Sequence, residues 1–372
     1  MSKIRTENEI LSQWNTEYPL VSICCTAYNH EKHIEQTIQS FLMQETNFAF
    51  EILISDDCST DNTTNIIQRY VQQYPKIIKH LHQADNKYSK GALPIRDLVL
   101  PYISGEYIAL CEGDDFWTNS TKLQQQIDFL EKNREYTGCG HNTDFLENGE
   151  LSGRLFINPT IRQTKYYFDD IVDGFYMHTS SMVYRYNDEI KNLADEYFAK
   201  YSNVDRNDSY MLLVFAKLGP VGYINKVMST YRVNDDGIWS GSADEVQISM
   251  FLKGCVDFSH IFGQRVAYRL MRRFAVTISN YIESISSKST YNLLEKIDTE
   301  DYPFIVAHLA LLKKEDLAKI EHIDNVCKQQ QVELLSLRSE IDKINKNKLC
   351  YFLQLPFRQK VYIISKKLKI HK

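Results

Sequence analysis

Over the first 240 residues of this 372-residue chain, the apolar pattern alternates between short strand-like runs and helical spacing. Val21-Ser22-Ile23-Cys24-Cys25-Thr26-Ala27-Tyr28 follows Pro19, is rich in apolar and β-branched residues, and predicts a buried strand. Ile34, Ile38, Phe41 and Leu42 then recur at helical spacing and predict a helix over 31–43. A second strand is expected at 50–55. Ser59, Thr60 and Asp61 supply N-cap chemistry for a helix carrying Ile66, Ile67, Tyr70 and Val71. A third strand is expected near Ile77–Leu81, a helix or irregular segment at 92–103, and a fourth strand at 106–111. This rhythm predicts an α/β fold with a mainly parallel sheet and right-handed crossovers. Further on, Leu123, Ile127 and Leu130 mark a helix at 120–133, and 138–185 reads as short strands and loops. A helix at 208–218 stops at Gly219-Pro220, two short strands follow at 221–224 and 227–232, and the pattern turns helical from about Ala243.

Two of the strand-like runs end in carboxylates. Phe50-Glu51-Ile52-Leu53-Ile54 leads into Ser55-Asp56-Asp57-Cys58-Ser59-Thr60-Asp61, and Glu106-Tyr107-Ile108-Ala109-Leu110 leads into Cys111-Glu112-Gly113-Asp114-Asp115-Phe116-Trp117. An Asp-rich run alone most often forms a turn or a cap. Two of them, each at the carboxyl end of a strand, fall where an open α/β sheet gathers its ligand site. Hard carboxylate oxygens suit Mg²⁺ or Mn²⁺, and those ions suit a diphosphate.

Composition narrows the class. With 43% apolar and 24% charged residues the chain holds a packed core of ordinary soluble character. Its length predicts one large domain with an appendage: a lead-in over 1–18, a catalytic domain over 19–245, a helical region over 246–318, a coiled coil over 319–345 and a basic amphipathic tail over 346–372. No stretch of 18 apolar residues occurs, and the first residues lack the apolar core of a secretory signal. Eight cysteines without a CxxC pair fit reduced thiols in the cytoplasm, with Cys24 and Cys25 as packing residues on opposite faces of a strand.

The formal charge of −5 is unevenly spread. Residues 343–372 hold nine Lys or Arg and no Asp or Glu, leaving 34 basic against 48 acidic residues, a formal −14, in the remainder. An acidic body of this kind is not a nucleic-acid binder. The heptad series Ile320, Cys327, Leu334, Ile341 and Ile323, Gln330, Leu337, Ile344 fits either a coiled coil that makes a homo-oligomer or one amphipathic helix folded back on the domain. In the tail, lysines interleave with Tyr351, Phe352, Phe357, Tyr362 and Ile363. This suits an anionic membrane surface, at the inner face of the cell membrane, or else a solvated tail or a partner-docking helix.

Four ordered motifs resemble the family-2 glycosyltransferases. They are the V-S-I…T-x-Y-N opening at 21–29, the D-D-x-S-T-D-x-T run at 55–63, the G-E-Y-I…G-D-D segment at 105–115, and a D-x…G…G-Y…V-x-S-x-Y-R…G-x-W-S-G pattern over 208–241. The resemblance covers roughly 19–241 and implies the GT-A fold, an inverting transfer from a nucleotide-diphospho sugar (UDP-linked above all), and an Mn²⁺ or Mg²⁺ cofactor. It implies that Tyr28 stacks on the base, Thr26 bonds beside it and Asp57 accepts from the base. Lys90 falls near the nucleotide, Asp114 contacts the ribose or the metal shell, and Asp115 binds the metal. Asp208 falls at the place of the catalytic base, with Asp205 as its near rival, and the acceptor is a glycan or lipid-linked glycan. Trp239 either caps the bound sugar or packs in its loop. His178 either faces the acceptor pocket or is structural. Two departures stand out: Cys58 replaces a frequent Gly, and Asn234 replaces a frequent His.

Other chemistries fit poorly. His30-Glu31-Lys32-His33 spaces its histidines three apart rather than the four of a zinc helix, and neither G-x-x-x-x-G-K-[ST] nor G-x-G-x-x-G is present. Thr26-Ala27-Tyr28-Asn29-His30 is unlike the glycine-rich loop of a sugar-nucleotide pyrophosphorylase. A non-catalytic, coiled-coil assembly protein that binds nucleotide sugars is the alternative from another class. The presence of Asp57, Asp114, Asp115 and Asp208 together argues against it.

Overall fold

The computed structural model describes residues 4–199, 207–233, 244–263, 265–267 and 269–270. The chain divides into two compact units, Met1–Ser240 and Gly241–Lys372. The expected coiled coil over 319–345 and the tail over 346–372 lie outside the described residues.

The first unit opens with a short helix, α1 (Glu7–Leu11), whose Thr6 and Glu9 form a reciprocal capping box. Three strand–helix units follow: β1 (Val21–Ala27) and α2 (Ile34–Leu42), β2 (Phe50–Asp56) and α3 (Thr63–Gln73), β3 (Ile78–His82) and α4 (Pro94–Leu98), leading to β4 (Tyr107–Glu112). These strands lie in the order β3-β2-β1-β4 and are parallel throughout. Ile23, Cys25, Ile52, Ile54 and Ala109 of the sheet pack with Ile34, Ile38 and Phe41 of α2 and Ile67 of α3 in one core. Complete burial of Cys24 and Cys25 matches their expected packing role.

The chain then builds the other half of the sheet. It runs through β5 (Phe116–Trp117), α5 (Lys122–Lys132), β6 (Gly138–Glu147), β7 (Glu150–Leu155), β8 (Lys165–Tyr166), α6 (Phe168–Asp173), β9 (Val183–Arg185), α7 (Asp188–Phe198), α8 (Asn207–Leu218) and β10 (Val221–Val233). The main path continues β4-β9-β6-β10-β5, with β7 on β6 and β8 on β10. Strand β9 is antiparallel to both its neighbours, whereas β6 and β10 are parallel. The two short strands expected at 221–224 and 227–232 are one strand, bulged between Ile224 and Ser229, where Asn225 and Lys226 interrupt the ladder. In the second unit the described residues include one long helix, α9 (Asp244–Phe262).

Candidate active site

The parallel strands β1, β2 and β4 end side by side. Ala27 pairs with Asp56, and Thr26 pairs with both Ser55 and Glu112. Backbone bonds prolong this alignment past the strands: Asp57 N donates to Ala27 O (3.0 Å) and Gly113 N to Thr26 O (2.8 Å). The loops are stitched together in turn. Asn29, in the left-handed region at φ 56°, donates its N–H to Ser59 Oγ (2.9 Å), and its Oδ1 accepts from Thr60 N (2.8 Å). Asn tolerates this conformation through local side-chain bonds. Cys58 is at φ 64°, at the position where glycine is frequent in the resembling motif, and its thiol donates to Ala84 O (3.7 Å).

On the β1–β2 side, Tyr28 is 44% exposed, a large aromatic surface left in contact with solvent just past the end of β1. Thr26 is half-buried on β1. Asp57 is buried, and its oxygens accept from Lys87 N (2.7 Å) and Tyr88 N (2.9 Å). It therefore positions the loop that carries Lys90, whose ammonium pairs with Asp85. A carboxylate accepts up to about four hydrogen bonds, so these two leave acceptor capacity on Asp57. Just behind, Asp56 Oδ2 lies 3.7 Å from His80 Nε2 and 3.8 Å from His82 Nδ1. The three residues bring one ligand atom each within 4.8 Å of one another, a group able to hold a metal ion.

On the β4 side, the turn after Glu112 carries Asp114 and Asp115. Gly113 is needed there because a Cβ would lie 2.8 Å from His30 Nδ1 and 3.1 Å from the Ala27 Cβ. Arg232 of β10 binds the turn at two points, donating Nε to Asp114 O (2.9 Å) and its backbone N–H to Asp115 Oδ1 (2.9 Å). Thr37 of α2 donates to Asp115 O (2.6 Å). The second carboxylate oxygen, Asp115 Oδ2, is buried with no hydrogen-bond partner. Burial, and then the charges of Asp114 and Glu112, push the Asp115 carboxyl well above the carboxylate range against the opposing pull of Arg232. An unpartnered buried oxygen amid like charges fits a hard divalent cation, which would restore the ionised form.

His178 closes this side from below. Its Nδ1 lies 2.8 Å from Ser180 Oγ and 3.6 Å from Asp115 Oδ2, and its ring sits against Tyr231 (4.4 Å) and Phe156 (5.3 Å). Burial lowers its pKa to about 4 although the charges of Asp208 and Asp114 pull the other way, so the ring is neutral at neutral pH. Asp208 lies in the first turn of α8 and accepts a hydrogen bond at Oδ2 from the Tyr176 hydroxyl.

Glu112, Asp114, Asp115, His178 and Asp208 thus share one electrostatic neighbourhood; Asp57 and Lys90 lie on the β2–β3 side, and Thr26 on β1 stands between the two. Trp239, Asp205 and Asn234 lie outside the described residues. Sequence reasoning had no role for Arg232 or Tyr176. Arg232 did sit in the Tyr231-Arg232 motif, whose spacing to the strand end was a usable signal, but nothing near Tyr176 marks it as a partner of Asp208.

Residues 22–190 match the model for Glycosyl transferase family 2. An uncharacterized protein of Mycobacterium tuberculosis is 31% identical over 220 residues, 59% of this chain and 60% of the relative. The UDP-Glc:alpha-D-GlcNAc-diphosphoundecaprenol beta-1,3-glucosyltransferase WfaP of Escherichia coli is 37% identical over 142 residues, 37% of this chain and 53% of the relative. The chain therefore spans about half to three-fifths of these relatives' length. Among solved structures, residues 1–349 of S. aureus TarS with UDP-GlcNAc superpose with a TM-score of 0.52 at 17% identity, covering 91% of each chain, a likeness of fold. The ordered strand-end motifs, the sheet order and these matches agree: residues 22–190 form a domain similar to Glycosyl transferase family 2, on a sheet of the GT-A kind.

Proposed function

We propose that this chain is an inverting, metal-dependent glycosyltransferase that moves a sugar from a UDP-linked donor to a hydroxyl of a glycan or lipid-linked glycan. The observation that carries the reading is the turn at Glu112–Asp115, where an unpartnered buried oxygen of Asp115 meets the charge neighbourhood of Asp208. The name of the E. coli relative specifies UDP-glucose and a diphosphoundecaprenol-linked acceptor, which supports this donor and acceptor class.

Asp115, with Asp114 beside it, would hold Mn²⁺ or Mg²⁺, which supplies Lewis-acid neutralisation of the departing diphosphate. Tyr28 and Thr26 bind the base, and Asp57 holds both the base edge and the loop bearing Lys90. Asp208 takes the proton from the acceptor hydroxyl as its oxygen attacks the anomeric carbon. The carbon–oxygen bond to the diphosphate breaks in the same step, its electron pair leaves with the phosphate, and the anomeric centre inverts. Because Tyr176 donates to Asp208 Oδ2, that bond fixes the carboxylate plane and assigns the proton to Oδ1. His178, neutral and buried, adds no positive charge that would compete with a cation at Asp115.

Calorimetric titration with UDP, with and without Mn²⁺, tests this on the wild type and Asp115→Ala. Metal-dependent micromolar binding that the variant loses is expected. Silence with UDP, GDP and CDP alike would overturn the donor assignment and favour a non-catalytic assembly role.

A further inference from the structure

We propose that Asp56, His80 and His82 form a second metal site, for a borderline-soft transition ion of the Zn²⁺ type, distinct from the cation at Asp115. It lies at the outer edge of the parallel half of the sheet. His80 and His82 are two apart on edge strand β3, so their side chains leave the same face. Asp56 pairs with His82 across the β2–β3 ladder and turns its carboxylate to that same place. Glu112 lies on β4, three strand spacings from the histidines on β3 and two from Asp56 on β2, about 14 and 10 Å at ~4.8 Å per strand, so one ion cannot serve both groups.

The geometry suits a metal better than a hydrogen-bonded pair. At 3.7 and 3.8 Å from Asp56 Oδ2, His80 Nε2 and His82 Nδ1 are beyond hydrogen-bond distance of it. Ligands about 2.0–2.1 Å from a tetrahedral zinc lie ~3.3 Å apart, a small side-chain rotation from this arrangement. The His80 side chain is 9% exposed, and its Nε2 is buried with no hydrogen-bond partner although it points at a carboxylate. An unpaired buried imidazole nitrogen leaves desolvation uncompensated, and a bound ion would supply the missing partner. The carboxylate is also oriented from behind: Ser59 N donates to Asp56 Oδ1 (3.1 Å) and the Thr64 hydroxyl to Oδ2, as outer-shell groups do around metal ligands. His82, 52% exposed, leaves the fourth position open to water.

Two imidazoles and one carboxylate select the ion. Mg²⁺ prefers all-oxygen shells and keeps its waters, whereas Zn²⁺ takes a His₂Asp set readily. Occupancy would fasten β3 to the end of β2 at the root of the 83–90 loop. Gln83 N already bonds Asp56 O (3.1 Å), and Asp57 holds the Lys87 and Tyr88 amides. The site therefore acts on structure next to the proposed base-binding residues, and it stands whether or not the donor assignment does.

The test measures Zn²⁺ retained after dialysis by elemental analysis of the full chain, and the visible spectrum after Co²⁺ loading. Wild type, Asp115→Asn, His82→Ala and His82→Cys are compared. The expected result is one tightly held Zn²⁺ and a tetrahedral Co²⁺ spectrum in wild type and Asp115→Asn. In His82→Ala affinity should fall by at least the roughly ten-fold that even an outer-shell partner contributes. Restored binding with a thiolate-to-cobalt band is expected in His82→Cys. His82 is half exposed, so its replacement leaves the core intact. Retention of no Zn²⁺ by wild type would overturn the proposal, as would equal retention by His82→Ala, or loss in Asp115→Asn with none in His82→Ala.

Discussion

Glu51, the second residue of β2, is 1% exposed yet charged, because four donors converge on it. Ser22 Oγ, Ser104 N and Ser104 Oγ each lie 2.7 Å from Oε1, and Lys79 Nζ lies 2.7 Å from Oε2. Burial on its own would raise the pKa, but the bonds from Lys79, Ser104 and Ser22 outweigh it and hold the carboxyl below its ordinary 4.5. A depressed carboxyl favours the ionised folded state. Its contribution is therefore full above about pH 4.5 and is lost as pH falls through the lowered value. Glu51→Gln keeps the shape but replaces an acceptor with a donor facing Ser104 or Lys79. It should cost about 1–3 kcal/mol at neutral pH, and the gap to wild type should narrow in acid. Urea unfolding near neutrality and near pH 4 checks this, and a gap that stays constant would refute the charged network. On the proposed function, Tyr176 gives the counterpart at the reacting centre. Tyr176→Phe removes a donor to Asp208 Oδ2, a bond to a charged group worth roughly 1.5–3 kcal/mol. About ten-fold or more should be lost from kcat, with the donor KM little changed; a change in KM alone would deny Tyr176 a positioning role. Asp57, Asp114 and Asp115 could be singled out in the sequence because carboxylates at strand ends carry a positional code, whereas Asp208, in the first turn of α8, was singled out by the motif it resembles. Tyr176 was not, because its contact with Asp208 spans 32 residues and depends on how separate elements pack.

At the scale of elements, the βαβ half was legible because each strand and helix announces itself by local period. The boundaries moved by only a few residues: the third strand runs Ile78–His82, and the segment at 92–103 holds α4 followed by a short 3₁₀ turn. The second half was harder for a physical reason. β6 and β10 pair in parallel although they come from distant parts of the chain, and β9 contributes only three residues, too few to show a period. Helix α7 went unread because only Ala194 and Phe198 of its eleven residues are buried, so it lacks a full apolar stripe. One element contact makes a sharp prediction. Gly105 leads into β4 where it meets β1, and a Cβ there would lie 2.7 Å from Ser22 N, 2.8 Å from Val21 C and 2.9 Å from Leu20 O. These are backbone atoms held by the β1–β4 ladder, so they cannot swing aside. Gly105→Ala should destabilise by about 1–3 kcal/mol through overpacking, and it should loosen the strand ends that carry the Asp114–Asp115 turn. A urea midpoint within experimental error of wild type would mean that β1 and β4 do not approach this closely.

For the whole molecule, the strongest signal beyond the fold is the separation of charge. The family match ends at residue 190, while the nine basic residues of 343–372 lie far beyond it, with no acidic residue among them. No described helix is long and apolar enough to cross a membrane. A basic segment supplies roughly 1 kcal/mol per Lys or Arg of attraction to an anionic bilayer, and 343–372 is such a segment. The −14 remainder would be repelled by the same surface, so the two parts have opposite tendencies and a truncation separates them. Removal of 343–372 should abolish sedimentation with phosphatidylserine-containing vesicles and leave metal-dependent UDP binding in place. In the full chain, binding to such vesicles should weaken steeply as salt shortens the Debye length from about 10 Å towards 3 Å. Vesicle binding that survives the truncation would relocate the anchor. Binding that persists at high salt would instead make apolar insertion of Tyr351, Phe352 and Phe357 the dominant force, because burial of such rings is indifferent to ionic screening.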